Sequence, residues 1–258
     1  MRLTTSQIRE RKGTNPIVMV TAYDAWMAGV VDDAVDTILV GDSLGIVVQG
    51  HSNTLPVTLD ETIYHTRMVV RGSQKAMVIA DLPFMTYQTT TEDAVRSGGR
   101  CLKEAGAQAV KVEGGRTIVP QVRAMVGHGI PVVGHLGLTP QSVHVLGGFT
   151  PQGGTEDAAN EIVDSARALV DAGIFMLVLE AVPDGVAQRV TKEVSVPTIG
   201  IGAGPHCDGQ VQVFHDLFAL HSTPTGDWAR RYVDAGQQIR KAIGQYAEEV
   251  RSGAFAAR

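Results

Sequence analysis

The feature that most constrains this chain is a short apolar run that ends in a polar residue, and it occurs five times. Residues 37–40 form one such run, which leads through Gly41 to Asp42. Short runs rich in branched side chains that end at glycine or an acid are typical of buried strands. Four further runs, at 77–80, 109–112, 132–134 and 176–179, end at Asp81, Glu113, His135 and Glu180. Since burying charged groups is costly, we expect these five to share a purpose, such as holding a cation or a substrate.

Predicted strands alternate with predicted helices along the whole chain. The strands are predicted at 16–22, 37–40, 76–80, 107–112, 130–134, 174–179, 197–201 and 210–214. The helices are predicted at 4–12, 23–35, 58–70, 91–104, 117–126, 156–172, 183–193 and 228–251. In a chain of 258 residues, this α/β order predicts one (β/α)8 barrel domain over residues 1–258 rather than an open doubly wound sheet. Such barrels carry their active sites at the carboxyl ends of the strands, where the five polar groups lie.

Composition excludes several classes of function. The 22 Lys and Arg residues against 27 Asp and Glu residues give a net charge of -5, and neither sign forms a long run, which argues against nucleic acid or an anionic membrane as the main partner. No apolar run approaches the roughly 18 residues of a membrane span. Residues 1–15 lack a secretory signal, and Cys101 and Cys207 are too few for a disulfide framework or a zinc cluster. We therefore expect a cytoplasmic protein that acts on small molecules.

Asp42 and Asp81 are the first candidate site residues. Both are hard oxygen donors at the ends of neighbouring predicted strands, without a cluster of Cys or His nearby, which suits Mg²⁺. The structural alternative is that each acid caps the helix that follows it. The pairing of the two acids favours the metal site.

Lys111 and Glu113 lie two residues apart on one predicted strand, so both face the same side, which is the interior of a barrel. A static salt bridge between them is one interpretation. The other is that Lys111 is a cation placed for a substrate carboxylate or a developing enolate, with Glu113 near the metal.

His135 and Glu180 complete the candidate set. His135 follows Gly134, and it is either a hydrogen-bonded core residue or a member of the site. Glu180 ends an apolar run, where partial burial would raise its proton affinity, so it is the candidate general base. Its alternative role is a helix cap before Pro183. The glycine-rich residues 200–204 indicate either a phosphate cradle or close packing.

Ten segments, taken together, resemble the ketopantoate hydroxymethyltransferase family over about residues 15–216. They include VGDSLG at 40–45, ADLPFM at 80–85, VKVEGG at 110–115 and GHLGLTPQS at 134–142, and the others lie at 21–24, 48–51, 54–58, 179–180, 200–204 and 208–210. The resemblance implies a (β/α)8 TIM barrel of the phosphoenolpyruvate/pyruvate superfamily type. It also implies a homo-oligomer, commonly a decamer.

The resemblance implies a reaction in pantothenate and coenzyme A biosynthesis. A one-carbon unit passes from 5,10-methylenetetrahydrofolate, the co-substrate, to the 2-oxoacid 3-methyl-2-oxobutanoate and gives 2-dehydropantoate, with Mg²⁺ stabilising an enolate. Carried over by position, Asp42 and Asp81 bind the metal, and Glu113 belongs to its shell through water. Ser43, Lys111 and His135 are the residues expected to hold the oxoacid. Glu180 removes the C3 proton.

Two stretches depart from the family pattern, at 147–154 and at 225–228. Both lack positive charge that the family carries near the rim of the site, so they bear on folate affinity and on the choice of oxoacid. The first alternative is therefore a paralogue of the same fold that adds a one-carbon unit to a different 2-oxoacid. A lyase of the related superfamily would carry a Lys-Lys-Cys-Gly-His type loop, which is absent from the sequence. A third alternative is a non-catalytic barrel that binds oxoacids.

Overall fold

The computed structural model describes residues 2–221 and 229–257. Its central feature is a closed barrel of eight strands in chain order, in which neighbours from β1 to β8 pair in parallel. The strands are β1 (Ile17–Thr21), β2 (Thr37–Val40), β3 (Met77–Asp81), β4 (Ala109–Glu113), β5 (Val132–Gly137), β6 (Met176–Glu180), β7 (Thr198–Ile201) and β8 (Gly209–Gln212). The prediction of a (β/α)8 barrel is confirmed.

Helices connect most of the strands, and each predicted helix is present. They are α1 (Thr5–Arg9), α2 (Ala25–Val31), α3 (Leu44–Val47), α4 (Leu59–Gly72), α5 (Thr91–Ala105), α6 (Val119–Gly127), α7 (Val143–Leu146), α8 (Glu156–Asp171), α9 (Asp184–Glu193), α10 (Phe214–Leu217) and α11 (Ala235–Ser252). Short 3-10 helices occur at Arg116–Ile118, Pro140–Ser142 and Phe255–Ala257. The helix predicted from residue 228 begins at Ala235, and the 225–228 stretch lies outside the described residues.

Side-chain caps explain where several helices begin. Thr4 caps α1 in a reciprocal arrangement with Gln7, and Thr58 caps α4 in the same way with Glu61. Such a capping box satisfies backbone N–H groups that the first turn leaves without partners. The three short helices α3, α7 and α10 were not predicted, because four residues are too few to show a helical period.

The strands divide the apolar side chains into two sets. Side chains such as Leu39, Ile79 and Val178 form a cluster inside the barrel, whereas Val110 and Val112 pack in a second cluster that includes residues of the surrounding helices. Because side chains alternate along a strand, Lys111 and Glu113 point inward, as predicted. The barrel interior is thus apolar over most of its length and carries ionisable groups at the carboxyl ends of the strands.

The chain forms two compact units, 1–211 and 212–258. The first contains α1 to α9 and strands β1 to β7 with most of β8, and the second contains α10 and α11. Residues 202–208, between β7 and β8, are all described and contain no helix. The prediction of a single domain over residues 1–258 stays a prediction. No helix in the described ranges is long and apolar enough to cross a membrane.

Candidate active site

The predicted site residues meet at the carboxyl ends of β2 to β6. The strand register places Asp81 beside Lys111, and Glu113 beside His135. Glu180 ends β6, opposite Gly137. Asp42, Asp81, Lys111, Glu113 and His135 are all buried, whereas the Glu180 side chain keeps 17% of its surface exposed. The barrel therefore brings together, from five strands, the side chains that the sequence placed at strand ends.

Asp42 and Asp81 are held side by side. The backbone N–H of Asp42 donates to Asp81 Oδ2 at 3.1 Å, and Asp42 Oδ2 accepts a hydrogen bond from Gln141 Nε2 at 3.0 Å. Ser43, not Asp42, occupies the N-cap position of α3, and the next helix after β3, α5, is capped by Thr90. The alternative that these two acids serve as helix caps is therefore wrong.

Burial and the charges of neighbouring groups shift the pKa values of Asp42 and Asp81. Burial raises the pKa of Asp42 well above its ordinary value, and the nearby Asp81 and Glu113 carboxylates raise it further. Burial also raises the pKa of Asp81, although Lys111 partly offsets the effect. Three buried acids thus face one lysine, so a divalent cation would relieve the repulsion between them.

Lys111 lies among the acids rather than in one isolated salt bridge. Its Nζ is 2.9 Å from Asp81 Oδ1, 3.6 Å from Glu113 Oε1 and 3.1 Å from His135 Nδ1. Burial lowers the pKa of Lys111, but the carboxylates of Asp81, Glu113 and Asp42 outweigh it and raise the pKa above its ordinary value. Lys111 is therefore a buried cation, and a simple Lys111–Glu113 pair does not describe its contacts.

His135 lies between two carboxylates. Its Nδ1 is 3.3 Å from Glu113 Oε1, and its Nε2 is 3.2 Å from Glu180 Oε2. Burial and the Lys111 charge lower the pKa of His135, but the contacts with Glu113 and Glu180 prevail and raise it to about 9. The pKa of Glu113 is lowered, because Lys111 and His135 outweigh its burial. His135 thus belongs to the site and connects the candidate base to the buried acids.

The backbone is constrained next to the candidate base Glu180, both at the following residue and at the paired residue on β5. Ala181, the next residue, has φ 47°, which is rare for a residue with a side chain and is often found at functional sites. Gly137 has φ 93°, and a Cβ there would lie 2.2 Å from the carbonyl oxygen of Glu180. Helix α9 begins after Pro183, where the structure shows no side-chain cap. The helix-cap role considered for Glu180 is therefore wrong.

Ser43 is presented by a tyrosine that the sequence did not single out. Tyr23 Oη and Ser43 Oγ lie 2.8 Å apart, and the backbone carbonyl of Tyr23 contacts His65 Nδ1 at 2.7 Å. The Tyr23 side chain is buried, so it fixes the position of the Ser43 hydroxyl beside Asp42.

Gln141 and Tyr87 are the site residues that the sequence analysis missed. Gln141 contacts both Asp42 and Glu113, and Tyr87 contacts Gln141 and the backbone of Glu113. Gln141 belongs to the segment 134–142 that carries the family resemblance, but an amide in a loop gives no periodic signal. Tyr87 lies six residues beyond β3, where its contacts depend on the path of the loop.

The donor set fits a divalent ion. In the described part of the chain, no three His, Cys, Asp or Glu side chains are arranged to hold a metal by themselves. Mg²⁺, however, is usually bound by one or two carboxylates together with water and substrate oxygens. Asp81 Oδ1 and Glu113 Oε1 are buried and are contacted by Lys111 at 2.9 Å and His135 at 3.3 Å, whereas the charge of Asp42 has no cation of its own among the described residues. Three buried carboxyl groups that repel one another are suitable for a hydrated Mg²⁺ ion.

The glycine-rich residues 200–204 serve close packing. Gly204 has φ 72°, and a Cβ there would lie 2.2 Å from Asp184 Oδ1 at the start of α9. A carboxylate already occupies this helix terminus, which disfavours a phosphate there. The packing alternative therefore accounts for these glycines.

The whole chain matches known proteins. Residues 2–258 match the family described as ketopantoate hydroxymethyltransferase. The chain is 52% identical over 256 residues to the 3-methyl-2-oxobutanoate hydroxymethyltransferase of Nitratidesulfovibrio vulgaris (strain DP4), covering 99% of this chain and 83% of that relative. It is also 52% identical over 257 residues to the protein of the same name in Syntrophus aciditrophicus (strain SB), covering 98% and 94%.

Solved structures show the same architecture. The crystal structure of 2,3-dimethylmalate lyase, a PEP mutase/isocitrate lyase superfamily member, superposes with a TM-score of 0.61 at 17% identity, covering 98% of this chain and 89% of that one. At this identity the likeness shows the fold alone, a (β/α)8 barrel. Fold, full-length match and sequence identity agree that this chain is a hydroxymethyltransferase, a member of the ketopantoate hydroxymethyltransferase family.

Proposed function

We propose that the chain transfers a hydroxymethyl group from 5,10-methylenetetrahydrofolate to 3-methyl-2-oxobutanoate and so forms 2-dehydropantoate for pantothenate synthesis. The observation that carries the proposal is the convergence of three buried acids, Lys111, His135 and the partly exposed Glu180 at one end of the barrel. In the overall balance, C3 of the oxoacid loses a proton and forms a bond to the methylene carbon of the folate, and water supplies the hydroxyl oxygen. Both C–N bonds of that carbon break, and tetrahydrofolate leaves with one proton from C3 and one from water. The names of the relatives support the same reaction.

Asp42 and Asp81 would hold a Mg²⁺ ion, and Glu113 would contact it through water. When bound, such an ion supplies electrophilic stabilisation for the negative charge that develops on the keto oxygen during proton loss. The mutual repulsion of the buried Asp42, Asp81 and Glu113 carboxyl groups, which a divalent cation would relieve, supports this assignment.

Glu180 would remove the C3 proton. Its side chain is partly exposed, so it can reach a substrate, while its Oε2 contacts His135 Nε2 at 3.2 Å. His135 would hold the carboxylate in one orientation before the reaction. The apolar strand β6 and the positive φ of Ala181 would restrain the base at the mouth of the barrel.

Lys111, His135 and Ser43 would hold the oxoacid. Lys111 is a cation in a dry environment, where its attraction for a substrate carboxylate is much stronger than in water. The Ser43 hydroxyl is aligned by Tyr23 and would donate a hydrogen bond to a substrate oxygen. The site would thus take a small 2-oxoacid with one carboxylate.

A second candidate is a paralogue that acts on a different 2-oxoacid. The observation that favours it is the uncharged loop 147–154, in which the N–H of Gln152 donates to the carbonyl of Ala181, beside the base. This loop therefore bears on the substrate side of the site. A panel of 2-oxoacids would separate the two candidates, because a clear preference for an acceptor other than 3-methyl-2-oxobutanoate would exclude the first.

The decisive experiment is exchange of the C3 proton of 3-methyl-2-oxobutanoate with deuterated water, followed by NMR. We expect exchange that requires Mg²⁺, and loss of that exchange in Asp81→Ala. Addition of the folate should convert exchange into net product. Exchange at the wild-type rate in the presence of a chelator would exclude the metal-dependent reaction.

We also propose that the chain acts in the cytoplasm as a homo-oligomer, up to a decamer as the family resemblance implies. Large apolar side chains left exposed on the chain, among them Trp26, Ile243 and Tyr246, support an assembly. The near-balanced charge of -5 agrees with small-molecule substrates rather than nucleic acid.

A further inference from the structure

The amide of Gln141 is a buried junction between the two halves of the proposed metal site. Its Nε2 donates to Asp42 Oδ2 at 3.0 Å and to the carbonyl of Leu82 at 2.9 Å. Its Oε1 accepts from Tyr87 Oη at 2.8 Å and from Gln88 Nε2 at 3.0 Å. Since the amide nitrogen faces two acceptors and the amide oxygen two donors, the surroundings allow one orientation of the side chain.

The backbone of the same residue holds a second acid. The N–H of Gln141 donates to Glu113 Oε2 at 2.9 Å. One residue of the Pro140–Ser142 3-10 helix therefore restrains two carboxylates that come from β4 and from the loop after β2. Both bonds are to buried carboxyl groups, where the low dielectric makes a hydrogen bond stronger than it is in water.

Tyr87 fixes this junction from the other side. Its hydroxyl accepts from the N–H of Glu113 at 2.9 Å and can donate to Gln141 Oε1 at 2.8 Å or to the carbonyl of Glu113 at 2.9 Å. The carbonyl of Leu82 can only accept, so it fixes the side that the Gln141 amide nitrogen faces. The orientation of the Gln141 amide is thus set independently of the acids that it contacts.

We propose that Gln141 is a positioning residue for the divalent-ion site, which orients the Asp42 and Glu113 carboxylates before the ion binds. This inference rests on the metal assignment in the proposed function. The acids repel one another, and without the two Gln141 donors they would have to find other partners or turn apart. Holding one oxygen of each carboxylate fixes the rotation of both groups and so reduces the reorganisation needed to bind the ion.

The test compares Gln141→Met with Gln121→Met. Gln141→Met removes the side-chain bond to Asp42 and keeps the backbone N–H that donates to Glu113, so it tests the orientation of Asp42. Gln121 is also a buried glutamine, and it donates to the carbonyl of Gln88 at 3.3 Å, but the structure shows no bond from it to Asp42 or Glu113. The dissociation constant of Mn²⁺ is measured without substrate, from the electron paramagnetic resonance signal of free Mn²⁺. We expect Gln141→Met to weaken Mn²⁺ binding about 10- to 100-fold, and Gln121→Met to stay within about twofold of wild type.

A second measurement distinguishes a positioning role of Gln141 from a purely structural one. The melting temperature in chelator reports the stability of the metal-free protein, whereas the Mn²⁺ affinity of the folded fraction reports the site. Gln141→Met with lowered stability and wild-type Mn²⁺ affinity would overturn the inference. If this variant does not fold, Tyr87→Phe replaces it, since it removes the hydroxyl that contacts the Gln141 amide and the Glu113 backbone but keeps all three acidic side chains. We expect it to weaken Mn²⁺ binding about fivefold, and unchanged affinity would overturn the inference.

Asp42→Asn distinguishes this inference from the proposed function. If wild type binds Mn²⁺, Asp42→Asn loses it and Gln141→Met does not, the positioning role alone is wrong. If wild type does not bind Mn²⁺, or Asp42→Asn binds it as well as wild type does, the metal assignment and the positioning role are both wrong.

Discussion

At the scale of single residues, this site depends on charges that are buried together and only partly neutralised. His135 is the connecting residue, because it contacts Glu113 with one ring nitrogen and Glu180 with the other. The acids on the metal side are fully buried, and the candidate base is the more exposed member. This arrangement separates a charge-holding region deep in the barrel from a proton-accepting group near the opening.

Replacing Glu180, the proposed base, tests whether substrate binding and proton removal depend on different residues. We expect Glu180→Gln to bind 3-methyl-2-oxobutanoate with near wild-type affinity and to lose turnover by about 10^2 to 10^4, because the amide keeps the size of the side chain but cannot accept the proton. Affinity is measured by calorimetry and turnover by product formation. Glu156→Gln, at an exposed acid paired with Arg189, is the control and should keep full turnover. Turnover within about threefold of wild type in Glu180→Gln would exclude this residue as the base.

At the scale of secondary-structure elements, a few buried contacts fix how helices lead into strands. Asp32, which follows α2, accepts hydrogen bonds from the backbone N–H groups of Gln74, Lys75 and Ala76. Arg2 donates to the carbonyls of Val70, Ser73 and Ala76 in the same region. These contacts satisfy the polar backbone groups between α4 and β3, which would otherwise be buried without partners.

We expect Asp32→Asn to lower the free energy of unfolding by about 1 to 3 kcal/mol. Although burial raises the pKa of Asp32, the backbone donors and Arg2 outweigh it, so its pKa in the folded protein is below its ordinary value. Its contribution is therefore complete above the ordinary pKa and is lost as pH falls through the folded value. Urea unfolding at neutral and acidic pH should show a difference from wild type that shrinks in acid. Asp33→Asn, at the exposed neighbour, is the control, and an equal loss there would refute the explanation.

Glycine at the end of β5 is required by the approach of β6. We expect Gly137→Ala to lower stability by about 1 to 3 kcal/mol, because its φ is positive and the new Cβ would meet the carbonyl of Glu180. Turnover should fall as well, since that carbonyl belongs to the base. Gly99→Ala is the matched control: Gly99 lies inside α5 with open space around it, and alanine there should stabilise by roughly 0.5 to 1 kcal/mol. Thermal unfolding of both variants checks that Gly137→Ala lowers the stability and that Gly99→Ala raises it.

At the scale of the whole molecule, apolar side chains are exposed to solvent in each of the two compact units of the chain. In the first, Val18 on β1 is 44% exposed, although outward side chains of barrel strands are normally covered by helices. The β7–β8 connection contributes no helix that could cover this part of the barrel. In the second unit, Ile239, Ile243, Tyr246 and Val250 form an exposed stripe along one face of α11. Exposed apolar patches of this kind indicate contacts with other chains.

We therefore expect wild type to sediment as an oligomer in analytical ultracentrifugation. Ile243→Glu places a charge in the middle of the α11 stripe and should shift the protein towards smaller species, because burying an unpaired carboxylate is costly. Lys241→Glu changes the opposite face of the same helix and should leave the oligomer intact. A wild-type monomer at micromolar concentration would contradict the expected assembly.

Strand positions and the choice of candidate residues followed from local sequence, because apolar runs and the polar groups at their ends are short-range signals. The roles of Asp42 and Asp81 as metal ligands, of Lys111 as a substrate contact and of Glu180 as the base were inferred from residue chemistry, and the family resemblance implies the same roles. They remain predictions. The short helices α3 and α7 and the start of α11 were missed, since a few residues or a gradual helix start leave little periodicity.

Local sequence was enough to predict a barrel of eight strands with ionisable groups at its carboxyl end, because alternation along each strand and the polar residue that ends it are properties of neighbouring residues. The contacts between those groups came from the folding of the chain in three dimensions. It placed Lys111 nearer to Asp81 than to Glu113, set His135 between two acids, and brought Gln141 to Asp42, 99 positions away along the chain. Such contacts depend on strand register and on the paths of loops, which no local pattern encodes.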